Sequence, residues 1–261
     1  MNSNERNIPA IYRFEQPLKR AIIIARPNRF IMNVLVNGKE TLCHCPSTGK
    51  IADIKFNREM PCLLSSATSP TRKTPFTVEA IYIKKTKQWV GINQNTANRY
   101  IEHFFKIGTL KKIIRNTDNL QREQTSGKSR LDFRIGDTHI EVKMPLQFLP
   151  GISSVKNLAT FQNSKIIQSR FMRHLRELKT RLSSNEQAQL LICFMYDAPT
   201  FIVPQHNTKQ SRAIKKLVAE SVKAGVVIWQ VNLQITPRGT KLLNYFNISN
   251  LFCATSSLTA E

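Results

Sequence analysis

Negative charge is scarce in this sequence. Asp and Glu number 17 against 39 Lys and Arg, a formal net charge of +22. The deficit is not the work of a tail. Residues 1–90 hold 15 basic and 6 acidic residues, and the remainder holds 24 and 11. Charge of one sign spread through both halves predicts a polyanion-binding surface on each, with nucleic acid as the expected partner. Cysteine is sparse and odd in number: Cys43, Cys45, Cys62, Cys193 and Cys253. With no secretory signal opening the chain, these are expected to be reduced thiols of a cytoplasmic protein. Cys43-x-Cys45 with His44 has no second ligand pair at zinc spacing, so it predicts a strand with two small apolar residues on one face. No apolar run reaches the ~20 residues that span a bilayer. No basic helix carries a broad aromatic face, so a membrane is not an expected partner. Gly-rich phosphate loops, dinucleotide fingerprints, Ser-His-Asp arrangements and internal repeats are also missing.

What is present divides in two. Residues 1–20 read as a polar, basic arm or first strand. Short apolar-alternating runs at 21–26, 30–36, 39–45, 61–66, 76–84 and 88–92 predict strands, with Asn37-Gly38 as a hairpin turn. So many strands in so short a span predict a small barrel of the OB type over residues 1–90, a fold that grips nucleic acid with a basic groove and aromatic platforms. Arg26, Arg29, Phe30, Arg72 and Lys73 could supply such a groove, although core burial is the expectation for Phe30.

Residues 91–261 alternate helix, hairpin, helix, strand, helix, strand. Ala97, Tyr100, Ile101, Phe104 and Phe105 recur at helical spacing and Gly108 ends that run. Glu102 lies off the stripe and is expected to be solvated. Residues 116–129 are polar, either a strand lead-in or a loop. A second helix is predicted over 165–182, a buried strand over 188–196, a third helix near 209–224 and a strand over 226–235. The last 25 residues give no clear pattern. This is a mixed α/β sheet with flanking helices.

The chemistry concentrates in residues 129–143. Leu131, Phe133 and Ile135 alternate with Arg130, Asp132 and Arg134. Ile140 and Val142 then alternate with His139, Glu141 and Lys143, so each strand has one apolar and one polar face. Gly136-Asp137 fits a two-residue turn with Gly first. That turn places Asp132 opposite Glu141, and Arg130 opposite Lys143. Two carboxylates facing across a ladder repel, and a divalent cation with oxygen ligands is what reconciles them.

Asp132, Glu141 and Lys143 match the core of the PD-(D/E)xK nuclease superfamily, with Leu131 where that name has Pro. Further pieces carry a closer resemblance: His44-Cys-Pro-Ser-Thr-Gly49, Arg72-Lys-Thr-Pro75, Gly91-Ile-Asn93, Asn98-Arg99, Ser129-Arg-Leu-Asp132-Phe133, Glu141-Val-Lys143 and His174-Leu-Arg-Glu-Leu178. In this order and spacing the chain resembles the sugar fermentation stimulation protein A (SfsA) family along most of its length. The resemblance implies an OB-like domain joined to a PD-(D/E)xK-like domain, DNA binding, and a nuclease-type site. It implies that Asp132 and Glu141 hold Mg²⁺ or Mn²⁺ and that Lys143 positions or activates the attacking water. Arg72, Lys73, Arg99, Arg130, Arg170 and Arg173 are the expected nucleic-acid contacts. Two segments depart from the family: Phe161-Gln-Asn-Ser-Lys165 stands for Phe-Pro-Asp-Ala, and Arg170-Phe171 for Arg-Gly.

Three functions stay open from sequence: a metal-dependent nuclease, a non-catalytic DNA-binding regulator of sugar metabolism using the same surface, and an RNA-binding OB protein. The first is the leading expectation.

Overall fold

Among the described residues the first element is strand β1 (Ile11–Arg13), followed by β2 (Lys19–Ala25), β3 (Ile31–Val36), β4 (Lys39–His44), β5 (Met60–Ser66), β6 (Phe76–Ile83) and β7 (Gln88–Gly91). The computed structural model describes residues 10–47, 51, 56, 60–69, 71–126, 129–145, 165–182, 186–201 and 209–253. Six of these strands pair in the order β4-β3-β2-β5-β6-β7. A parallel pairing of His44 with Thr77 joins β4 to β6 and closes five strands into an OB-like barrel. The β3–β4 turn forms at Asn37 and Gly38, with φ of 50° and 80°, the signs that a two-residue hairpin turn of this type demands. Alternation puts Ile23, Met32, Val34, Cys43, Cys62 and Leu64 inside, none with measurable exposure. Cys43 and Cys45 both face inward as small apolar residues, and burial pushes the Cys43 thiol up to about 11, so it stays protonated. Phe30 corrects its expectation: it is 43% exposed, with the Arg29 guanidinium 4.6 Å from its ring centre.

Helix α1 (Ala97–Lys106), strands β8 (Leu120–Ser126), β9 (Ser129–Ile135) and β10 (Thr138–Lys143), helix α2 (Lys165–Leu182), strand β11 (Gln187–Phe194), helix α3 (Lys209–Lys223), strands β12 (Val227–Thr236) and β13 (Gly239–Asn247) and the short helix α4 (Asn250–Cys253) make the second unit. Its seven-stranded sheet runs β1-β13-β12-β11-β10-β9-β8. The central β10–β11 and β11–β12 pairs are parallel and the remainder antiparallel. From Ala188 to Phe194 every residue of β11 is buried, as expected of a strand covered on both faces. Helix α2 lies on this sheet through Phe171, Leu175 and Leu178, all buried, each worth about 1.5–3 kcal/mol when fully removed from water.

The first 90 residues do not stay with the barrel as one block. Strand β1 pairs with β13, Ile11 opposite Lys241 and Arg13 opposite Gly239, in the other sheet. The units also meet where the Gly91 amide donates to the Met195 carbonyl at 3.1 Å. A Cβ at Gly91 would stand 2.6 Å from the Met195 Cβ. Gly91→Ala is therefore expected to cost about 1–3 kcal/mol by overpacking a contact where neither backbone can yield. Denaturant midpoints measure this, and an unchanged midpoint contradicts the close approach. Among the described residues no helix is long and apolar enough to cross a membrane.

Candidate active site

The β9–β10 hairpin takes the register its turn dictates. Gly136, at φ 57°, opens the turn, and Ile135, Arg134 and Phe133 pair with Thr138, His139 and Ile140. The ladder stops there, one step short of Asp132 and Glu141. A continuing ladder would send the Val142 amide to the Leu131 carbonyl. It goes instead to Asp132 Oδ2 at 2.7 Å, so the aspartate side chain stands where backbone pairing ends. The other oxygen, Oδ1, accepts from Asn98 Nδ2 on α1 at 2.6 Å. Gln94 Nε2, just before α1, donates to the Met144 carbonyl at 2.8 Å. The start of α1 is thus pinned to both strands of the hairpin.

Alternation predicts a polar face on this hairpin, and α2 buries it. Glu141 is 1% exposed. Its Oε1 accepts from Lys143 Nζ and from His174 on α2. A carboxylate only accepts, so His174 Nδ1 carries the proton in this contact. Lys143 Nζ and His174 Nδ1 lie 3.4 Å apart. Burial works against charge on Glu141, but the His174 hydrogen bond and the Lys143 charge outweigh it and hold the carboxyl below its usual range. Asp132 behaves oppositely. Burial, and then the charge of Glu141, push it up to about 6 against the Val142 amide, Lys143 and Asn98. Two neighbouring carboxyl groups whose environments drive their proton affinities apart are a hallmark of a reactive site.

Two features bear on a cation. Glu141 Oε2 is buried with no hydrogen-bond partner among the described residues, a costly state for a charged oxygen unless something positive meets it. The amide and carbonyl of one strand residue point to the same side, so the Val142 carbonyl shares the Asp132 side with its amide. Two carboxylates and a carbonyl suit a hard divalent ion that keeps several waters. The described residues hold no cluster of three or more His, Cys, Asp or Glu side chains that could hold a metal ion, so a cation here would rest on two carboxylates, the carbonyl and water.

The remaining expected contacts divide between places. Arg130 and Arg173 are exposed, on β9 and α2. Arg170 lies on α2, with its side chain outside the described residues, and the departing segment 161–164 is outside them too. Arg72 and Arg99, both exposed, line a separate cleft, while Lys73 is exposed beside Arg72. Glu102 is not freely solvated: it pairs with Lys106 at 2.7 Å and Arg122 at 3.3 Å. His174 and Asn98 are the site residues that sequence reasoning misses. His174 sits three residues after Phe171 and four before Leu178, on the buried stripe of α2, and a histidine on an apolar stripe is the available signal.

Family models match in two consecutive blocks. Residues 24–92 match the SfsA N-terminal OB domain, and residues 95–239 match the sugar fermentation stimulation protein RE domain. A sugar fermentation stimulation protein homolog of Synechococcus sp. (strain JA-2-3B'a(2-13)) is 29% identical over 245 residues, spanning 92% of this chain and 97% of the relative. A homolog of Natranaerobius thermophilus is 28% identical, with 90% and 94% covered. The solved structure of Pyrococcus furiosus SfsA in complex with Ca²⁺ superposes with a TM-score of 0.67 at 17% identity, over 90% of this chain and 96% of that one.

Proposed function

The chain belongs to the sugar fermentation stimulation protein family, and on that premise we propose that it is a DNA-binding protein with a divalent-cation-dependent phosphodiesterase site. The observation that carries this reading is the buried Glu141 Oε2, without a hydrogen-bond partner among the described residues, beside Asp132. Asp132 and Glu141 would hold Mg²⁺ or Mn²⁺, with the Val142 carbonyl as a further oxygen. When bound, such a cation lowers the pKa of a coordinated water and offsets charge on the phosphate. The Pyrococcus furiosus protein, solved in complex with Ca²⁺, supports a hard-cation site in this fold. Lys143 holds a positive charge at the mouth of the site, where it orients the attacking water and meets charge building on the phosphate oxygens. His174 is a positioning residue: it fixes one Glu141 oxygen and leaves the other to face inward. Arg130 and Arg173, exposed near the hairpin and on α2, would hold the backbone of the substrate.

The test is incubation with duplex DNA, single-stranded DNA and RNA in Mg²⁺ and in Mn²⁺, beside Asp132→Asn. The parent is expected to bind in chelator and to cleave in metal, and the variant to bind without cleaving. Binding with no cleavage of any substrate in either metal would instead support the non-catalytic regulator.

Stability supplies an independent reading of the same site. Mg²⁺ or Mn²⁺ is expected to stabilise the parent by RT ln(1 + [L]/Kd), about 1–3 kcal/mol at tens to hundreds of Kd, and Asp132→Asn should lose most of that. In chelator two effects of the variant oppose each other. Asn removes the repulsion from Glu141, but its NH₂ faces one of the two donors that Asp132 now accepts. The pH dependence is more specific. The folded carboxyl is protonated at higher pH than the unfolded one, near 3.9. Its contribution to stability in chelator therefore grows as pH falls through about 6 and is complete below the unfolded value. The parent should gain on the variant between neutral pH and about 4. Melting curves that ignore both ions would remove the metal site.

A further inference from the structure

Residues from four of the family-like motifs converge away from the nuclease site. His44, Arg72, Asn93 and Arg99 come from three distant stretches of chain and line one open cleft of about 1110 Å³. The cleft lies where the barrel meets the second sheet. Its barrel side is built by β4, β5 and β6, and its other side by α1 and the segment leading from β1 to β2. Three of its walls have chemistry. Glu79 lies buried on the barrel side, held by Ser65 Oγ at 2.6 Å and Asn93 Nδ2 at 2.8 Å. Arg72 and Arg99 bring two positive charges close enough to act on Glu79, yet neither guanidinium has a hydrogen bond or ion pair among the described residues. Half-buried Tyr12 and Phe14 form an aromatic wall backed by the buried Tyr100, with ring centres 5.1–6.1 Å apart.

We propose that this cleft binds a nucleotide by its phosphate monoester, with Arg72 and Arg99 on the phosphate and the base against Tyr12 and Phe14. The proposal deepens the nucleic-acid reading above and rests on it for the source of the nucleotide. Two guanidiniums with no hydrogen bond or ion pair among the described residues match the charge of −1.5 to −2 on a phosphate monoester better than the single charge of a phosphodiester. A base has a π-face for the aromatic wall whatever its identity. The volume is slightly above the usual range for a small-ligand pocket, so it also admits the last residues of a strand. The cleft and the nuclease site share a wall. Asn98 and Arg99 are consecutive in the first turn of α1, and Asn98 holds Asp132 while Arg99 lines the cleft. A strand whose phosphorylated end is seated in the cleft would lead its next phosphodiesters along α1 towards Glu141 and Lys143.

One ligand chemistry here has two sources, a strand terminus and a free mononucleotide, and binding assays on the full chain in chelator separate them. Probes are single-stranded DNA oligomers of one sequence with a 5′-phosphate, a 3′-phosphate or two hydroxyl ends, a nucleoside monophosphate, and ribose 5-phosphate. One phosphorylated end, or the mononucleotide, should bind about tenfold or more tightly than the form lacking its phosphate. Ribose 5-phosphate, lacking a base, should bind more weakly than the mononucleotide. Arg72→Gln with Arg99→Gln should abolish the phosphate preference and leave the protein folded, since neither side chain has a hydrogen bond or ion pair to lose among the described residues and Ser65 and Asn93 still hold Glu79. The proposal is overturned if phosphorylated and hydroxyl forms bind alike in the parent, or if the preference survives in the folded double variant. Because every reading is made without metal, a protein that cleaves nothing can still pass, and an active nuclease can still fail.

Discussion

Lys143→Met is expected to lower phosphodiester cleavage by on the order of 10²–10⁴-fold while leaving nucleic-acid affinity close to the parent's. One lysine among 39 basic residues contributes little to total phosphate attraction. Its position makes the difference. Among the described residues, Lys143 and His174 are the basic groups paired with Glu141, and Lys143 alone of the two lies on β10. Met keeps the aliphatic stem and removes the ammonium, so packing under α2 is preserved. The variant also tests what holds Glu141. That carboxylate is buried, and removing one partner of a buried pair commonly costs several kcal/mol, but His174 stays on the same oxygen and should limit the loss. Single-turnover cleavage in Mg²⁺, binding in chelator and a melting curve separate the three effects. A variant that cleaves at the parent rate would falsify the assignment of Lys143.

His174 makes the complementary case. His174→Gln keeps a donor towards Glu141 but not the imidazole ring, so it should slow cleavage less than Lys143→Met. The hairpin that carries Glu141 and Lys143 is legible in sequence to its register, because Gly136 admits only a narrow set of turns and period-two alternation fixes which side chains share a face. What the alternation hides is the environment of that face. Polar residues on alternate positions read as a face turned to water, and only α2, more than 20 residues on, turns it into a buried site. The end of the ladder at Ile140 is hidden too, since the Val142 amide leaves the backbone for a side chain.

Local signals mark the elements whose stability is local. The barrel strands fall within about two residues of their alternation, and α2 has the bounds that its stripe and flanking polar residues set. The misses either lack a readable pattern or depend on a distant partner. β8 is an edge strand of polar sequence, Leu120–Ser126, with no alternation to read. β13 is half-exposed along much of its length, and its pairing shifts at Asn232/Leu233, so its pattern has no clean period. β1 finds its partner more than 220 positions away. A three-residue strand has too little sequence to announce such a partner. The interdomain cleft inherits that difficulty: Tyr12 and Phe14 reach it only because β1 joins the second sheet.

Nucleic-acid affinity is expected to fall by roughly 10³–10⁵-fold between 50 and 200 mM salt, if about 6–10 phosphates are neutralised. The composition alone argues for a basic surface, and the fold sharpens it. Several of the few acidic groups are turned inward or already matched. Glu79 and Glu141 are buried, Glu102 is taken by Lys106 and Arg122, and Glu186 meets Arg134, His139 and Arg181. The surface is therefore more positive than the ratio of 39 to 17 suggests. Arg72, Lys73, Arg130, Arg173 and Arg176 are all exposed on it, drawn from both units of the fold. Each phosphate contact releases condensed counterions, so the slope of log affinity against log salt counts contacts. Arg72→Gln with Arg99→Gln should reduce that slope by about one or two for a strand seated in the cleft, and leave it unchanged for closed circular DNA with no end to seat. A slope near zero for the parent on every nucleic acid would take the polyanion reading away, and the phosphodiesterase reading would lose its substrate with it.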